Sequence, residues 1–141
     1  MPNINLEDLY HQVKNLAISI PMEMLVSWEM SSEAWCVKNC QGNIIYINKG
    51  YKNIARRHES SGVTWKSSFC QQIALHDSMV MKTEMSITAI GIFPPNERKE
   101  TMPFLCERSP LFNRNAEVQG VISHVQPVLA ITTAFFFRAA L

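Results

Sequence analysis

A chain of 141 residues, of which 47% are hydrophobic and 18% are charged, has the size and composition of one globular domain rather than of a disordered segment. Its net charge of +1 excludes the large basic excess that is typical of DNA-binding modules, so we expect no specific DNA binding by this chain. The four cysteines include no Cys-x-x-Cys pair and the four histidines lie far apart, which argues against a metal site.

The first predicted element is an amphipathic helix that ends at Pro21. Asn5 precedes the helix and can cap it, because its side chain can accept from a free amide of the first turn. Apolar residues recur along it at spacings of three and four: Leu6, Leu9, Val13, Leu16 and Ile20. This spacing is also that of a coiled-coil seam. The stripe therefore joins two copies of the chain, packs on the chain's own sheet, or does both.

A β-hairpin is predicted next. Residues 35–38 form the first strand, residues 39–42 form a turn in which Gly42 takes a positive φ, and residues 43–48 form the second strand. The second strand contains four consecutive apolar residues, whereas a strand with one wet face would alternate. We therefore expect both of its faces to be covered, with the N-terminal helix on one of them.

The rest of the chain is predicted to be helical first and then extended. The predicted helices cover residues 49–57 and 74–84, with a poorly defined helical stretch between them. The predicted strands cover residues 87–93, 102–108 and 118–125, with a polar loop at 94–101 and a turn at 111–117. Strands at both ends with helices gathered in the middle indicate an α+β fold with an antiparallel sheet.

Several motifs in this order resemble a PAS domain. The segment from Trp35 to Asn48 is similar to the opening PAS hairpin, in which an apolar strand turns through Gly and returns to a helix-capping Asn. His76-Asp77 resembles the start of the long PAS helix, and residues 109–112 followed by 120–122 resemble the last hairpin. Over residues 20–128 the chain is most similar to the N-terminal sensor half of enterobacterial LuxR-type helix-turn-helix transcription regulators.

The resemblance implies a PAS fold: a five-stranded antiparallel sheet, short helices on one face, and an N-terminal amphipathic helix. It divides the chain into that helix at 1–20, the PAS domain at 21–128, and an apolar C-terminal segment or linker at 129–141. It implies a sensory and dimerisation domain of a bacterial transcription regulator, here without its DNA-binding module, and a homodimer formed through Leu6, Leu9, Val13, Leu16 and Ile20.

Two alternatives remain at this stage, a stand-alone PAS interaction domain and a small α+β enzyme with a cone-shaped pocket. The sequence has no Gly-x-Ser-x-Gly elbow and no phosphate-binding glycine loop, so we expect no enzyme. An enzyme would also need a cluster of titratable groups in its pocket. The candidates for such a cluster are His76, Asp77, Glu84 and Glu107.

PAS pockets can hold haem, flavin or a small metabolite. The segment Phe69-Cys70-Gln71-Gln72 lacks the Asn and Arg that flank the reactive cysteine of flavin photosensors, and His76 is the candidate axial ligand for haem. We expect neither cofactor and no metal. We expect instead a small apolar or weakly polar ligand, in a pocket formed by Trp35, Val37, Ile45, Phe69, Ile73, Ile90, Phe104 and Val121.

The cellular location is predicted from the apolar segments. The N-terminus carries Glu7 and Asp8, where a secretory signal has basic residues. The longest apolar stretch covers residues 128–137, which is shorter than the roughly 20 residues that span a bilayer. We therefore expect a cytoplasmic protein that does not bind membranes.

Overall fold

The computed structural model of the chain describes residues 4–14, 20–59, 68–92 and 103–128. Four helices and five strands occur in these ranges. They are, in chain order, α1 (Leu6–Val13), α2 (Met22–Met30), β1 (Ala34–Asn39), β2 (Ile44–Ile47), α3 (Lys49–Glu59), α4 (Ser68–Thr83), β3 (Ile87–Ile92), β4 (Pro103–Phe112) and β5 (Val118–Pro127). This order is the predicted α+β arrangement.

The five strands form one sheet in the order β2-β1-β5-β4-β3. Every neighbouring pair is antiparallel, so the predicted five-stranded antiparallel sheet is confirmed. The last strand lies between β1 and β4, with Val37 of β1 opposite Ile122. Because β1 and β5 are both paired on two sides, the sheet joins the beginning of the domain to its end.

The turn between β1 and β2 has the predicted chemistry. Gly42 has a φ of +82°, a conformation that side chains with a Cβ rarely adopt. Asn39 accepts hydrogen bonds through its Oδ1 from the amides of Gln41 and Asn43, each at 3.0 Å. The Asn39 side chain thus satisfies two backbone amides of this turn.

One face of the sheet, called the outer face below, is covered by α1 and α2. The core on this side is built from side chains of both helices, of three strands and of the residue before Pro21, namely Leu9, Ile20, Leu25, Trp28, Val37, Tyr46 and Leu111. The Trp28 and Trp35 rings stack with their centres 4.8 Å apart. The prediction that the N-terminal helix covers the sheet is confirmed, since Leu9 is buried in this core.

The N-terminal region differs from the single long helix that the apolar stripe predicted. The Asn5 cap is confirmed, because its Oδ1 accepts from the amides of Glu7 and Asp8 at 3.1 and 3.3 Å. However, α1 ends at Val13, and a second helix begins directly after Pro21. The Pro21 carbonyl accepts from the amides of Met24 and Leu25, so this proline starts α2 as well as preceding it.

Two further element boundaries differ from the predicted ones. Helix α4 begins at Ser68, six residues before the predicted start at residue 74. Strand β4 continues to Phe112, although the predicted strand ends at residue 108 and the predicted turn begins at residue 111, because Pro110 is accommodated in the strand opposite Val121. The turn is confined to residues 113–117, where Asn113 accepts from two backbone amides through its Oδ1.

Candidate functional site

A cavity of about 620 Å³ lies between helices α3 and α4 and the other face of the sheet, called the cavity face below. Alternate residues of β1 point into it, namely Ala34, Cys36 and Lys38. Their partners on β5 and β4 continue the same surface, including Ser123, Val125, Cys106 and Arg108. The helices contribute Tyr51, Ile54, Ile73, Asp77 and Met81, among others.

Part of the cavity wall is apolar. A buried cluster of Ala34, Phe104, Cys106 and Val125 lies on the cavity face, with Tyr51 and Ile54 of α3 packed against it. This wall has no ionised group in it and suits the apolar part of a small ligand.

The opposite part of the wall carries three charged side chains, called the buried triad below. Asp77 of α4 lies between two cations: Lys38 Nζ is 3.1 Å from its Oδ2, and Arg108 Nε is 3.2 Å from its Oδ1. The side chains of Lys38, Asp77 and Arg108 are 16%, 8% and 6% exposed. Charges this deep are stable only when they are paired, so the triad fixes α4 to β1 and β4.

The hydrogen bonding of the triad is incomplete. Lys38 donates to Asp77, whereas Asp77 Oδ1 and Arg108 Nε make no hydrogen bond within the described part of the chain, despite their short separation. A buried polar atom without a hydrogen bond costs about 1–3 kcal/mol. Both atoms are buried, so Asp77 and Arg108 are held together as an ion pair without an aligned hydrogen bond.

Two of the thiols that line the cavity are buried, those of Cys36 and Cys106. Burial raises the pKa of Cys36 to about 11, an effect that the neighbouring Lys38 only partly offsets. Burial likewise raises the pKa of Cys106. Because the nucleophilic species is the thiolate, both groups are neutral near pH 7 and act as apolar lining rather than as nucleophiles.

A second polar cluster, called the His124 cluster below, lies on the outer face. His124 contacts Glu33 Oε2 through Nε2, and its Nδ1 is 3.5 Å from Glu107 Oε2. Its ring stacks on Trp35, with the centres 4.0 Å apart and the planes 9° apart. This cluster joins β5 and β4 to Glu33, which lies between α2 and β1.

The predicted pocket residues do not all reach the cavity. Ile73 and Ile90 line it, and Phe104 packs in its apolar wall. Val121 is buried on β5 opposite Lys38 but does not line the cavity, and the side chain of Phe69 is outside the described part.

The prediction for the opening hairpin was wrong by one residue. Trp35, Val37 and Ile45 pack in the outer core with α1 and α2. Cys36 and Lys38 face the cavity instead. Successive residues of a strand point to opposite faces, so a parity error of one residue moves every side chain across the sheet.

The buried triad is not predicted by the sequence analysis, although the sequence carries a signal for it. Lys38 and Arg108 each stand in a predicted strand beside apolar residues, where a charged side chain needs a partner. Of the four residues proposed for an enzyme, His76 and Asp77 border the cavity, whereas Glu107 contacts His124 on the outer face and Glu84 follows the end of α4. The four do not form one cluster.

The residues of the predicted dimer stripe differ in their burial. Leu9 and Ile20 are buried in the chain's own outer core, whereas Leu6 is 56% exposed. Leu16 and the side chain of Val13 lie outside the described residues. Tyr10, one turn after Leu6 on α1, is 51% exposed.

Metal-binding clusters and membrane-spanning helices are both absent from the described ranges. Within them, no three His, Cys, Asp or Glu side chains are close enough together to hold a metal ion. None of the helices in these ranges is long and apolar enough to cross a membrane. His76, the candidate haem ligand, borders the cavity beside the triad.

The family described as "PAS fold" matches residues 28–130, which include all five strands. This chain belongs to the PAS family. No curated protein sequence matches it. The match and the sheet order together account for the cavity, because a PAS sheet is covered on one face by its short helices, as β1 to β5 are here.

Solved structures with the same fold include two of VqmA. A phage VqmA–DPO complex is 16% identical, with a TM-score of 0.63 over 95% of this chain and 59% of that one. A Vibrio cholerae VqmA dimer, described among LuxR-type receptors, is 16% identical, with a TM-score of 0.62 over 79% of this chain and 54% of that one. The PAS domain of a Colwellia psychrerythraea protein is 12% identical, with a TM-score of 0.58 over 75% of this chain and 94% of that one.

The TM-scores show a shared fold. The chain spans little more than half the length of the VqmA chains.

Proposed function

We propose that this PAS domain is the signal-receiving part of a LuxR-type transcription regulator and that it binds a small molecule in the cavity. The observation that carries the proposal is the cavity itself: 620 Å³ is within the range of small-molecule sites, and its largely apolar wall carries a small number of polar groups, the buried triad among them. The VqmA structures support it, since one of them is described as bound to DPO and another as a dimer that binds DNA.

Signalling would proceed by a shift between two packings of the N-terminal helices on the sheet. A ligand in the cavity contacts β1, β4 and α4, and the opposite face of the same strands carries α1 and α2. The ligand favours whichever packing it binds more tightly, and the attached output module is re-spaced accordingly. The domain has a sensory role without catalysis and acts in the cytoplasm.

The experiment fills the cavity and compares the small molecules that copurify with the protein. Gly91 borders the cavity, and a Cβ added there would meet only the Cys106 Sγ, at 3.7 Å. Gly91→Leu therefore occupies ligand space without a backbone clash. Thr88→Leu is the matched control, because Thr88 is exposed on the same strand and pairs with Glu107 of the outer face.

Wild type and Thr88→Leu should release the same small molecule on denaturation, detected by mass spectrometry of the supernatant. Gly91→Leu should release at least about tenfold less, because a leucine side chain of four carbons takes the ligand's place. Equal amounts from Gly91→Leu would place the ligand outside the cavity. If the wild type releases nothing and binds no component of a bacterial metabolite extract, the cavity is a packing void and the proposal fails.

The proposal includes a homodimer. Burial decides which residues of α1 are available for its contact surface. Leu9 and Ile20 pack on the chain's own sheet, which leaves Leu6 and Tyr10 as the exposed apolar pair of α1. These two residues lie four positions apart and so share one face of the helix. In a two-fold pair each contact occurs twice, so this small surface is used on both subunits.

The double variant Leu6→Asp, Tyr10→Asp should convert a dimer to a monomer in sedimentation velocity at micromolar concentration. Leu75→Asp is the control, since Leu75 is an equally exposed apolar residue on α4. Circular dichroism should be unchanged in both variants. A wild type that sediments as a monomer, or a double variant that remains a dimer, would show that α1 serves only its own core.

A further inference from the structure

The buried triad has an unbalanced charge. Asp77 supplies one negative charge and faces two cations, Lys38 and Arg108. Among the described residues that line the cavity, no other Asp, Glu, Lys or Arg occurs. One positive charge is therefore left without a partner beside an apolar wall, where an uncompensated ion is costly.

The free hydrogen-bonding capacity is on the cationic side. A guanidinium has five N–H donors and an ammonium has three, whereas the triad uses one Lys38 donor on Asp77. Arg108 Nε is buried against Asp77, so a ligand can contact this side chain only through the terminal nitrogens of its guanidinium. The other polar groups among the described lining residues are amides, an imidazole, hydroxyls and thiols, and none of them is a second carboxylate.

We propose that the ligand of this cavity is a small monocarboxylate with an apolar body, whose carboxylate pairs with Arg108 and Lys38 beside Asp77. This inference rests on the proposed ligand-binding function and names the chemical class. A monoanion balances the charge of the triad, and the two oxygens of a carboxylate match the donor geometry of a guanidinium. The apolar body packs on the wall formed by Ala34, Phe104 and Val125.

The test compares acids with their neutral isosteres. Phenylacetate and hexanoate are titrated into the full chain by calorimetry beside phenylacetamide and hexanamide, which have nearly the same shape and no charge. At least one acid should bind about tenfold or more tightly than its amide, because hydrogen bonds to charged groups are roughly twice as strong as neutral ones. Equal or tighter binding of the amides would overturn the inference.

Variants assign the preference to the triad. Arg108→Gln should remove most of the preference for the acid, and Arg108→Lys should keep part of it, since lysine retains the charge but not the two-pronged donor. If circular dichroism shows that Arg108→Gln does not fold, the acids and amides are compared on Lys38→Gln instead, because Lys38 is the more exposed cation. An acid preference that persists unchanged in the folded variants contradicts the assignment to these cations.

The outcome separates this inference from the proposed function. Binding of the amides alone, lost in Gly91→Leu, keeps the cavity as a ligand site and rejects the carboxylate. If none of the four probes binds to the wild type, the inference fails, while the small molecule released on denaturation still decides whether the cavity is a ligand site.

Discussion

Asn48 offers the strictest test of how this fold is held together, because its fully buried side chain makes four hydrogen bonds. Its Oδ1 accepts from the amides of Trp35 at 2.9 Å and Tyr51 at 3.0 Å. Its Nδ2 donates to the carbonyls of Trp28 and Glu33, each at 2.8 Å. One side chain thus joins the end of α2, the start of β1 and the first turn of α3.

The cost of Asn48→Ala can be worked out from these partners. The Trp28 carbonyl keeps a hydrogen bond from the amide of Ser31, so three backbone groups lose their partner. Each such loss costs about 1–3 kcal/mol, and partial exposure places these groups near the lower value. We expect a total of about 3–4 kcal/mol, a large fraction of the roughly 5–15 kcal/mol that stabilises a domain.

Urea unfolding followed by circular dichroism and tryptophan fluorescence measures this loss. Asn53→Ala is the matched control, because Asn53 is exposed on α3, and it should change the free energy of unfolding by no more than about 0.5 kcal/mol. Asn48→Asp keeps both accepting bonds but places a carboxylate beside two carbonyl oxygens. Its loss of unfolding free energy should therefore become smaller as the pH is lowered to about 4 and the carboxylate is protonated. A cost below about 1 kcal/mol for Asn48→Ala would refute the reasoning.

Two further predictions follow from the close packing. Gly50→Ala should destabilise the domain by about 1–3 kcal/mol in the same assay, because the added Cβ would lie 2.2 Å from the Glu33 carbonyl oxygen. Gly42→Ala is the comparison: its Cβ would meet no described atom within 4 Å, so the variant should lose only the roughly 1–2 kcal/mol that a side chain costs at a positive φ. Iodoacetamide at pH 8 should alkylate the exposed Cys40 while Cys36 remains protected, because the thiolate is the reacting form and the pKa of Cys36 is raised to about 11. Peptide mass spectrometry measures the alkylation of both residues. Equal rates in the folded protein would contradict the burial of Cys36.

The local elements of the fold could be predicted because their signals are local. The β1–β2 hairpin is encoded within one short segment by Gly42 and by two apolar runs. Helix α2 could not be found in this way, because the segment from Met22 to Met30 has apolar residues on most sides and lacks a clear polar face. Pro21 was interpreted as a stop, although a proline also suits the start of a helix.

The candidate site was less predictable, since it depends on register and on distant partners. Trp35 and Val37 were placed in the pocket because an apolar strand has no intrinsic signal for which of its faces meets which layer. Lys38 and Asp77 are 39 residues apart, and nothing in either segment indicates the other. Only the packing of α4 on β1 brings them together.

The sheet itself links the cavity to the N-terminal helices. Arg108 faces the cavity, whereas the next residue back, Glu107, reaches His124 on the outer face, and His124 also contacts Glu33 at the end of the α2 segment. Adjacent residues of a strand point to opposite faces, so β4 carries a member of the buried triad directly beside a member of the His124 cluster.

The energy that such a link must carry is small. Among the side chains of α1 that the structure describes, Leu9 is the buried one, and burying a leucine contributes about 1.5–3 kcal/mol. A ligand shifts an equilibrium by its difference in affinity for the two states, and 1.4 kcal/mol of that difference is a factor of ten. A cavity ligand that binds one packing about ten- to a hundredfold more tightly therefore has enough free energy to dock or release α1. The triad is where such a difference would arise, because the distance from Lys38 to Arg108 depends on the spacing of β1 and β4, the strands on either side of β5.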